Sequence, residues 1–410
     1  MQEVISKYAV GIDIGTTTVR CVVGHIDGTT GVPTIVGVGV ALNSGMRKGN
    51  VVNLAGPAQA IDEALGEAER MSGYQVDTAT ISINGTHILS THADGMIAVG
   101  SANHEIIEED IMRIEEVATL GKVPANREIL EVVPHAYKLD GQDNIKNPVG
   151  MTGTRLEIDA HVVSVLTPNL LNLQKAVESA KVSPRTIVVA GVAAARSVLS
   201  EQQIENGVAL IDIGGSTTNI AVYEEGDLQF TAVIPIGGIN ITNDLAIGLQ
   251  IDQEIAEKLK IEHASAISGK DTSGISLEHG GEIYSFSTAD IDEIVEARLE
   301  EIFEAVNKEL ARAGRAGKLP SGVILTGGTA QLKGISDYTK ESLGLAARKG
   351  LAAGFGGVAD GIDKPQFATA VGLMLIDSES ISAGSNKFSG KNALKGGVGI
   401  FSKLIGRFRT

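Results

Sequence analysis

The chain has 410 residues, 43% of them hydrophobic and 20% charged, which is enough for more than one core. It holds no Trp, only 6 Tyr and 8 Phe, and a formal charge of −16, a combination that argues against base stacking and against a duplex-binding surface over most of its length. The charge is uneven: beyond residue 380 stand Lys387, Lys391, Lys395, Lys403, Arg407 and Arg409 with no acid, leaving −22 on the body and calling for an anionic partner at one end.

The one cysteine, Cys21, excludes an internal disulfide and a cysteine-based zinc site. The eight His residues form no ligand-like spacing, and His161, inside an apolar strand, reads as a satisfied core or edge residue. The first apolar run, Tyr8 to Ile12, is cut by Asp13 and lacks a small-residue cleavage site. No apolar run reaches the roughly 18 residues that a spanning helix needs. The expected setting is a reducing cytosol.

In chain order, residues 11–20 (GIDIGTTTVR) predict a strand, a tight glycine turn and a returning strand. Residues 57–71 carry apolar positions at helical spacing behind Pro57. From 84 to 165, strand-like runs (ATISING, HILSTHA, EILEVVPHAYKL, RLEIDAHVVSVL) surround one helix at 107–120, the pattern of a small α+β unit. A helix is expected at 170–181. Residues 210–220 (LIDIGGSTTNI) then repeat the opening hairpin 199 residues later, so two related halves are the simplest organisation. Helices are expected at 242–260 and 289–313, the latter with Ile291, Ile294, Val295, Leu299, Ile302 and Val306 on one core-facing stripe. A third glycine turn closes VILTGGT at 323–329. Residues 377–395 turn to Ser, Gly, Asn and Lys and predict a flexible linker, with a last segment beyond it.

Paired Asp-x-Gly-hydroxyl hairpins suit a phosphate clamp. Glycine lets backbone N–H groups approach phosphate oxygens, while Thr16, Thr17, Ser216 and Thr217 add hydroxyl donors. Asp13 and Asp212 cannot face phosphate directly, so they suit Mg²⁺ and its waters. A single such hairpin is commonly structural. Two in register, with Gly327-Gly328-Thr329 as well, make the clamp the better reading.

GIDIGTTTVR, LIDIGGSTTNIAV and VILTGGTAQLKGI resemble the two phosphate motifs and the adenosine motif of the actin, heat-shock chaperone and sugar kinase superfamily. Residues 189–199 and 365–376 resemble its two connecting helices. Within it, residues 126–163, 233–249 and 256–264 are similar to the FtsA family of bacterial division proteins, a likeness that runs from about 8 to 376 and returns in the last fifteen residues. The resemblance implies an α/β, two-lobed actin-like fold with ribonuclease H-like halves and a nucleotide cleft between them. Its parts would be 1–83 for the start of the first lobe, 84–165 for an inserted α+β subdomain, 166–206 for the return and hinge, and 207–376 for the second lobe, with roughly 245–318 outermost. A linker at 377–395 and a helix at 396–410 would follow.

The resemblance also implies ATP with Mg²⁺, its phosphates between Gly15–Thr17 and Gly214, Gly215, Ser216 and Thr217, its base near Gly327, Gly328 and Thr329, and its ribose near Glu257 and Lys258. Hydrolysing relatives often place Glu or Gln at the start of the first connecting helix to position water; here that stretch is Ala190-Gly191-Val192, so at most weak ATPase activity is expected. Filament formation, other division proteins meeting 84–165, and the C-terminal peptide of tubulin-like FtsZ meeting Arg298 and Lys308 are implied too. The alternative for Arg298 is an ordinary surface pair with Glu293 or Glu301.

In the last segment, Ile400, Phe401, Leu404, Ile405 and Phe408 share a helical face, with Lys403, Arg407 and Arg409 on or beside the other. This fits an interfacial helix on anionic lipid, which the resemblance would place at the inner face of the bacterial membrane, at the division site; a helix docked on its own protein is the alternative. The rival function is a small-molecule phosphotransferase of the same fold, a sugar or acetate kinase, for which no positioned base stands out. A third is a related actin-like pilus-assembly adaptor.

Overall fold

The computed structural model describes residues 7–28, 30–100, 103–267, 274–357 and 361–385. β1 (Lys7–Ile14) and β2 (Thr18–Ile26) form the expected opening hairpin, and β3 (Pro33–Leu42) extends it. A short ribbon, β4 (Met46–Arg47) with β5 (Asn50–Val51), leads into α1 (Ala55–Ser72). Its apolar stripe, Ala60, Ile61, Ala64, Leu65 and Ala68, is buried over β2 and β3, and Gly73 ends it in a left-handed conformation that most side chains resist. β6 (Thr78–Ile83) then lies parallel to β1.

Here the chain departs into an inserted unit: β7 (Leu89–Ala98), α2 (Glu108–Thr119), β8 (Arg127–Leu139), β9 (Gln142–Ile145) and β10 (Arg155–Leu166), with sheet order β7-β10-β8-β9. Ile106, Ile114, Leu156 and Ile158 lie in its own core. α3 (Thr167–Ser179) and β11 (Ser183–Val189) return to the first sheet, whose order is β11-β6-β1-β2-β3.

After α4 (Ala190–Val198) and α5 (Glu201–Asn206), the second lobe repeats this pattern. β12 (Val208–Ile213), β13 (Thr218–Glu224) and β14 (Asp227–Ile234) form an antiparallel meander. The expected helix at 242–260 is two, α6 (Gly238–Leu249) and α7 (Gln253–His263). Gln250 takes a positive φ of 55° between them, and a helix cannot pass through that conformation. β15 (Gly274–His279) and β16 (Glu282–Ser287) form a hairpin leading to α8 (Thr288–Arg312). The stripe of α8 is buried as periodicity predicts, with Phe303 added and Ile294 only partly covered. β17 (Val323–Thr326), α9 (Ile335–Leu343) and β18 (Ala347–Lys349) complete the sheet β14-β13-β12-β17-β18, and α10 (Ala368–Ser385) follows. Each sheet is thus a three-stranded meander joined by two parallel strands, so the fold is α/β, two-lobed and actin-like.

α4 and α10 cross between the lobes at very short range. A Cβ on Gly372 would stand 1.7 Å from the Ala193 carbonyl oxygen, so only glycine permits this approach. α10 also runs beyond its expected end. Residues 377–385, read as the start of a linker, are its last turns, and Asp377 is buried. It accepts hydrogen bonds from Val10 N–H (2.9 Å), Thr80 Oγ1 (2.7 Å) and the Arg185 guanidinium (2.6 Å). Small polar residues continue a helix when a buried anchor holds it, a tertiary effect that composition does not carry.

Glu131 on β8 is buried beside Tyr223 of β13, and burial pushes its carboxyl up to about 7. A carboxyl whose folded value is raised binds its proton more tightly than the unfolded chain does, so stability falls as pH rises from about 4.5 to 7. Glu131→Gln should therefore have little effect on Tm at pH 5 and raise stability at pH 8 by up to about 3 kcal/mol. Thermal unfolding at both pH values checks this.

Candidate functional site

The two hairpin turns face each other at the centre of the molecule. Each closes on the same bond, Gly15 N–H to the Thr18 carbonyl (3.1 Å) and Gly214 N–H to the Thr217 carbonyl (2.9 Å). Gly215 lies against Thr17: a Cβ there would come within 2.7 Å of Thr17 Oγ1. A triphosphate placed between the turns therefore requires the lobes to part.

Three of the hydroxyls on the turns keep a proton to donate. Thr16 Oγ1 accepts from Gly49 N–H (3.0 Å) and Thr217 Oγ1 from Asn84 Nδ2 (3.0 Å), so each keeps its own proton for another acceptor. Ser216 Oγ is buried with no partner among the described residues. A buried hydroxyl left unmatched costs about 1–3 kcal/mol, and a phosphate oxygen would satisfy it.

Beneath the turns lie the two carboxylates. Asp13 accepts from Ser82 Oγ (3.0 Å) and Asp212 from Asn219 Nδ2 (3.0 Å). Burial raises Asp13, with Arg20 and Ser82 opposing. Burial and then the charge of Asp13 push Asp212 up to about 7, against the hydrogen bond from Asn219 and the charge of Arg20. Arg20 is itself pushed down by burial, and its Nε has no partner among the described residues. Two carboxylates thus share one guanidinium, and a divalent cation with its waters would compensate the excess negative charge. The donor set, oxygen-only with an orphan hydroxyl above it, fits Mg²⁺ and phosphate.

Sequence reasoning missed Arg20. The signal was present: in both echoes the residue seven after the Asp pairs with it across the hairpin, Arg20 with Asp13 and Asn219 with Asp212.

The third turn is bonded to the second. Thr329 Oγ1 donates to the Gly214 carbonyl (3.1 Å), which also accepts from Gly238 N–H at the start of α6 (2.9 Å). Gly327, at φ 87°, packs on Asp212, where a Cβ would lie 2.4 Å from Oδ1. Gly328 faces open space.

Of the expected ribose pair, Glu257 joins this group and Lys258 does not. Glu257 accepts from Thr242 and from Lys260 Nζ (2.6 Å), and Lys260 also donates to the Gly238 carbonyl (3.2 Å). Lys258 Nζ instead donates to the Glu278 carbonyl on the β15 hairpin (2.7 Å). On a helix, residues three apart share a face and adjacent ones do not, so 257 goes with 260.

Arg298 is held within the chain. Its Nε and second terminal nitrogen clasp both oxygens of Asp244 (2.5 and 2.9 Å), and it also pairs with Glu301. Lys308 is exposed farther along α8. Ile400, Phe401, Lys403, Leu404, Ile405, Arg407 and Phe408 lie outside the described residues.

Asp212→Asn removes one of two mutually repelling buried carboxylates. It should raise the Tm of the protein alone and, with the turns read as a Mg·ATP clamp, weaken Mg²⁺-dependent ATP binding at least about tenfold, or roughly 1.4 kcal/mol. Differential scanning fluorimetry and titration calorimetry, each with and without Mg²⁺, read the two effects.

A family model described as Cell division protein FtsA matches residues 209–372, and one described as SHS2 domain inserted in FTSA matches residues 85–164. The chain is 35% identical over 382 residues to the cell division protein FtsA of Pseudomonas aeruginosa, covering 92% of this chain and 91% of that one. Among solved structures, the PilM-PilN type IV pilus biogenesis complex superposes with a TM-score of 0.66 at 16% identity, over 90% of this chain and 98% of that one. MreB5 of Spiroplasma citri bound to ADP gives 0.56 at 13%, over 93% and 99%. A MamK double helical filament gives 0.51 at 12%, over 90% and 98%. These structural likenesses carry the actin-like fold alone. The sequence identity carries more: this chain belongs to the FtsA family of cell division proteins.

Proposed function

We propose that this protein is a nucleotide-dependent membrane tether for the division ring. It binds Mg·ATP between its lobes, assembles into filaments, and links the C-terminal peptide of FtsZ to anionic lipid at the inner face of the membrane. The observation that carries the nucleotide part is the unmatched Ser216 hydroxyl above two under-compensated aspartates, flanked by Thr16 and Thr217 with protons to give. Gly15–Thr17 and Gly214–Thr217 hold the phosphates, Gly327–Thr329 lie against the base, and Glu257 with Lys260 stands nearest the ribose. When bound, Mg²⁺ neutralises phosphate charge, and Asp13 and Asp212 hold its water shell. The ADP-bound MreB5 and the MamK filament, which share this fold, support nucleotide binding and self-association.

Turnover is slow in this reading. The start of α4 offers Ala190, Gly191 and Val192, none able to orient water, and a Cβ on Gly191 would lie 3.1 Å from that of Asn219, leaving little space for a longer side chain.

Membrane attachment belongs to 396–410. No helix among the described residues is long and apolar enough to cross a bilayer. One amphipathic helix binds reversibly, and a filament displaying many would raise avidity by roughly 10² to 10⁴. The test is co-sedimentation with anionic liposomes, with and without ATP, for the full chain and a version ending at Leu394. The full chain should pellet, more so with ATP, and the truncation should not. If both stay in the supernatant, the tether reading is wrong.

Arg298 and Lys308 meet the acidic peptide, and Arg298 must leave Asp244 to do so. Arg298→Ala should weaken binding of a synthetic acidic peptide by about tenfold, whereas Asp244→Asn, which loosens the bidentate clasp and leaves Glu301 as the one acidic partner among the described residues, should strengthen it. Fluorescence polarisation distinguishes these opposite signs. Equal losses in both variants point to a purely structural ion pair.

A further inference from the structure

The inserted unit is joined to the first lobe by both chain ends, because it leaves after β6 and returns at α3. Its sheet, however, lies against the second lobe. β14 is an edge strand there, and its backbone is capped by side chains of the insert. Thr231 N–H donates to Ser90 Oγ (3.1 Å), and His135 Nε2 donates to the Leu228 carbonyl (3.0 Å). Lys146 Nζ bonds the buried Asp227 carboxylate (2.9 Å), the Glu225 carbonyl (3.3 Å) and the His135 carbonyl (2.9 Å), tying three segments at one point.

These contacts form a connected network. Ser90 Oγ accepts from Thr231 N–H and lies within hydrogen-bond distance of His161 Nε2, 2.6 Å away. His161 is held neutral because burial, together with His135 and His92, pushes it down to about 3. Nearer the centre, Asn84, the first residue after β6, donates to Thr217 Oγ1 in the second phosphate turn.

We infer that the insert is a brace across the two lobes, which holds the facing turns together and so limits how fast nucleotide enters and leaves between them. Thr17 and Gly215 touch, so any ligand between them must separate the lobes. That motion must shear the Asn84–Thr217 bond, the β14 caps, or both. The kinetic half of this inference rests on the nucleotide-binding reading above; the mechanical half does not.

The test uses the full chain with two variants. Ser90→Ala uncaps Thr231 with little disturbance. Lys146→Met combined with Asp227→Asn removes the ion pair without leaving a buried carboxylate alone, since breaking only one partner risks unfolding. Hydrogen–deuterium exchange should rise about tenfold or more across 227–234 in both variants, with α1 unchanged, and a fluorescent ATP analogue should dissociate at least about threefold faster. Unchanged exchange at 227–234 in both variants overturns the brace. Raised exchange with unchanged dissociation overturns the kinetic role and leaves only a packing contact. If the unmodified protein binds no nucleotide at all, the ATP reading falls, and the exchange result alone decides the brace.

Discussion

Two aspartates that share too little positive charge meet where the lobes join, Asp212 buried and Asp13 half-buried. Asp13 and Asp212 sit at the ends of equivalent strands, and the fold brings those ends together beneath two glycine turns. Charge buried this deeply is normally paired or metal-bound, because desolvation of an isolated carboxylate outweighs most of what packing contributes. Arg20 offsets part of it from the first hairpin, while the second offers only the Asn219 carboxamide. The deficit therefore falls on Asp212, whose strand leads into the turn that carries the unmatched Ser216 hydroxyl.

The rest of the structure holds that unfavourable centre in place. β1 and β12 are central strands, each flanked by a neighbour on both sides, which fixes both aspartates at the centre of the molecule. The α4–α10 crossing joins the lobes through backbone contact at Gly372 and Ala193, a joint with no side chain to compress. Asp377 fastens α10 to β1 and β6 through three hydrogen bonds and shows the contrasting case of a buried carboxylate that is fully matched. One buried acid is structural because its partners are complete. Asp13 and Asp212 have fewer partners, each accepting one side-chain hydrogen bond.

The insert and the outer part of the second lobe show how tertiary packing redirects charged side chains. Arg298 could have been a free cation on an exposed helix, but α6 places Asp244 opposite it, and a bidentate guanidinium pair is geometrically favoured over solvent exposure. Lys146 and His135, unremarkable in the sequence, become contacts between the insert and β14.

Much of this protein was determined locally. Glycine turns after β-branched runs, the helical stripes of α1 and α8, and the repeat of Asp-x-Gly-hydroxyl at 13 and 212 are short-range signals, carried by backbone preference at the turns and by apolar periodicity in the helices. They made the two related lobes, the paired glycine turns and the carboxylate pair legible in the sequence. What only the tertiary structure decided concerns groups brought together from distant positions. The helical continuation past Asp377, the clasp of Arg298 on Asp244 and the docking of the insert on β14 each depend on a partner far away in sequence. Pattern and propensity describe what a segment prefers alone. Burial against a particular neighbour selects among those preferences, and that selection was made by the folded molecule.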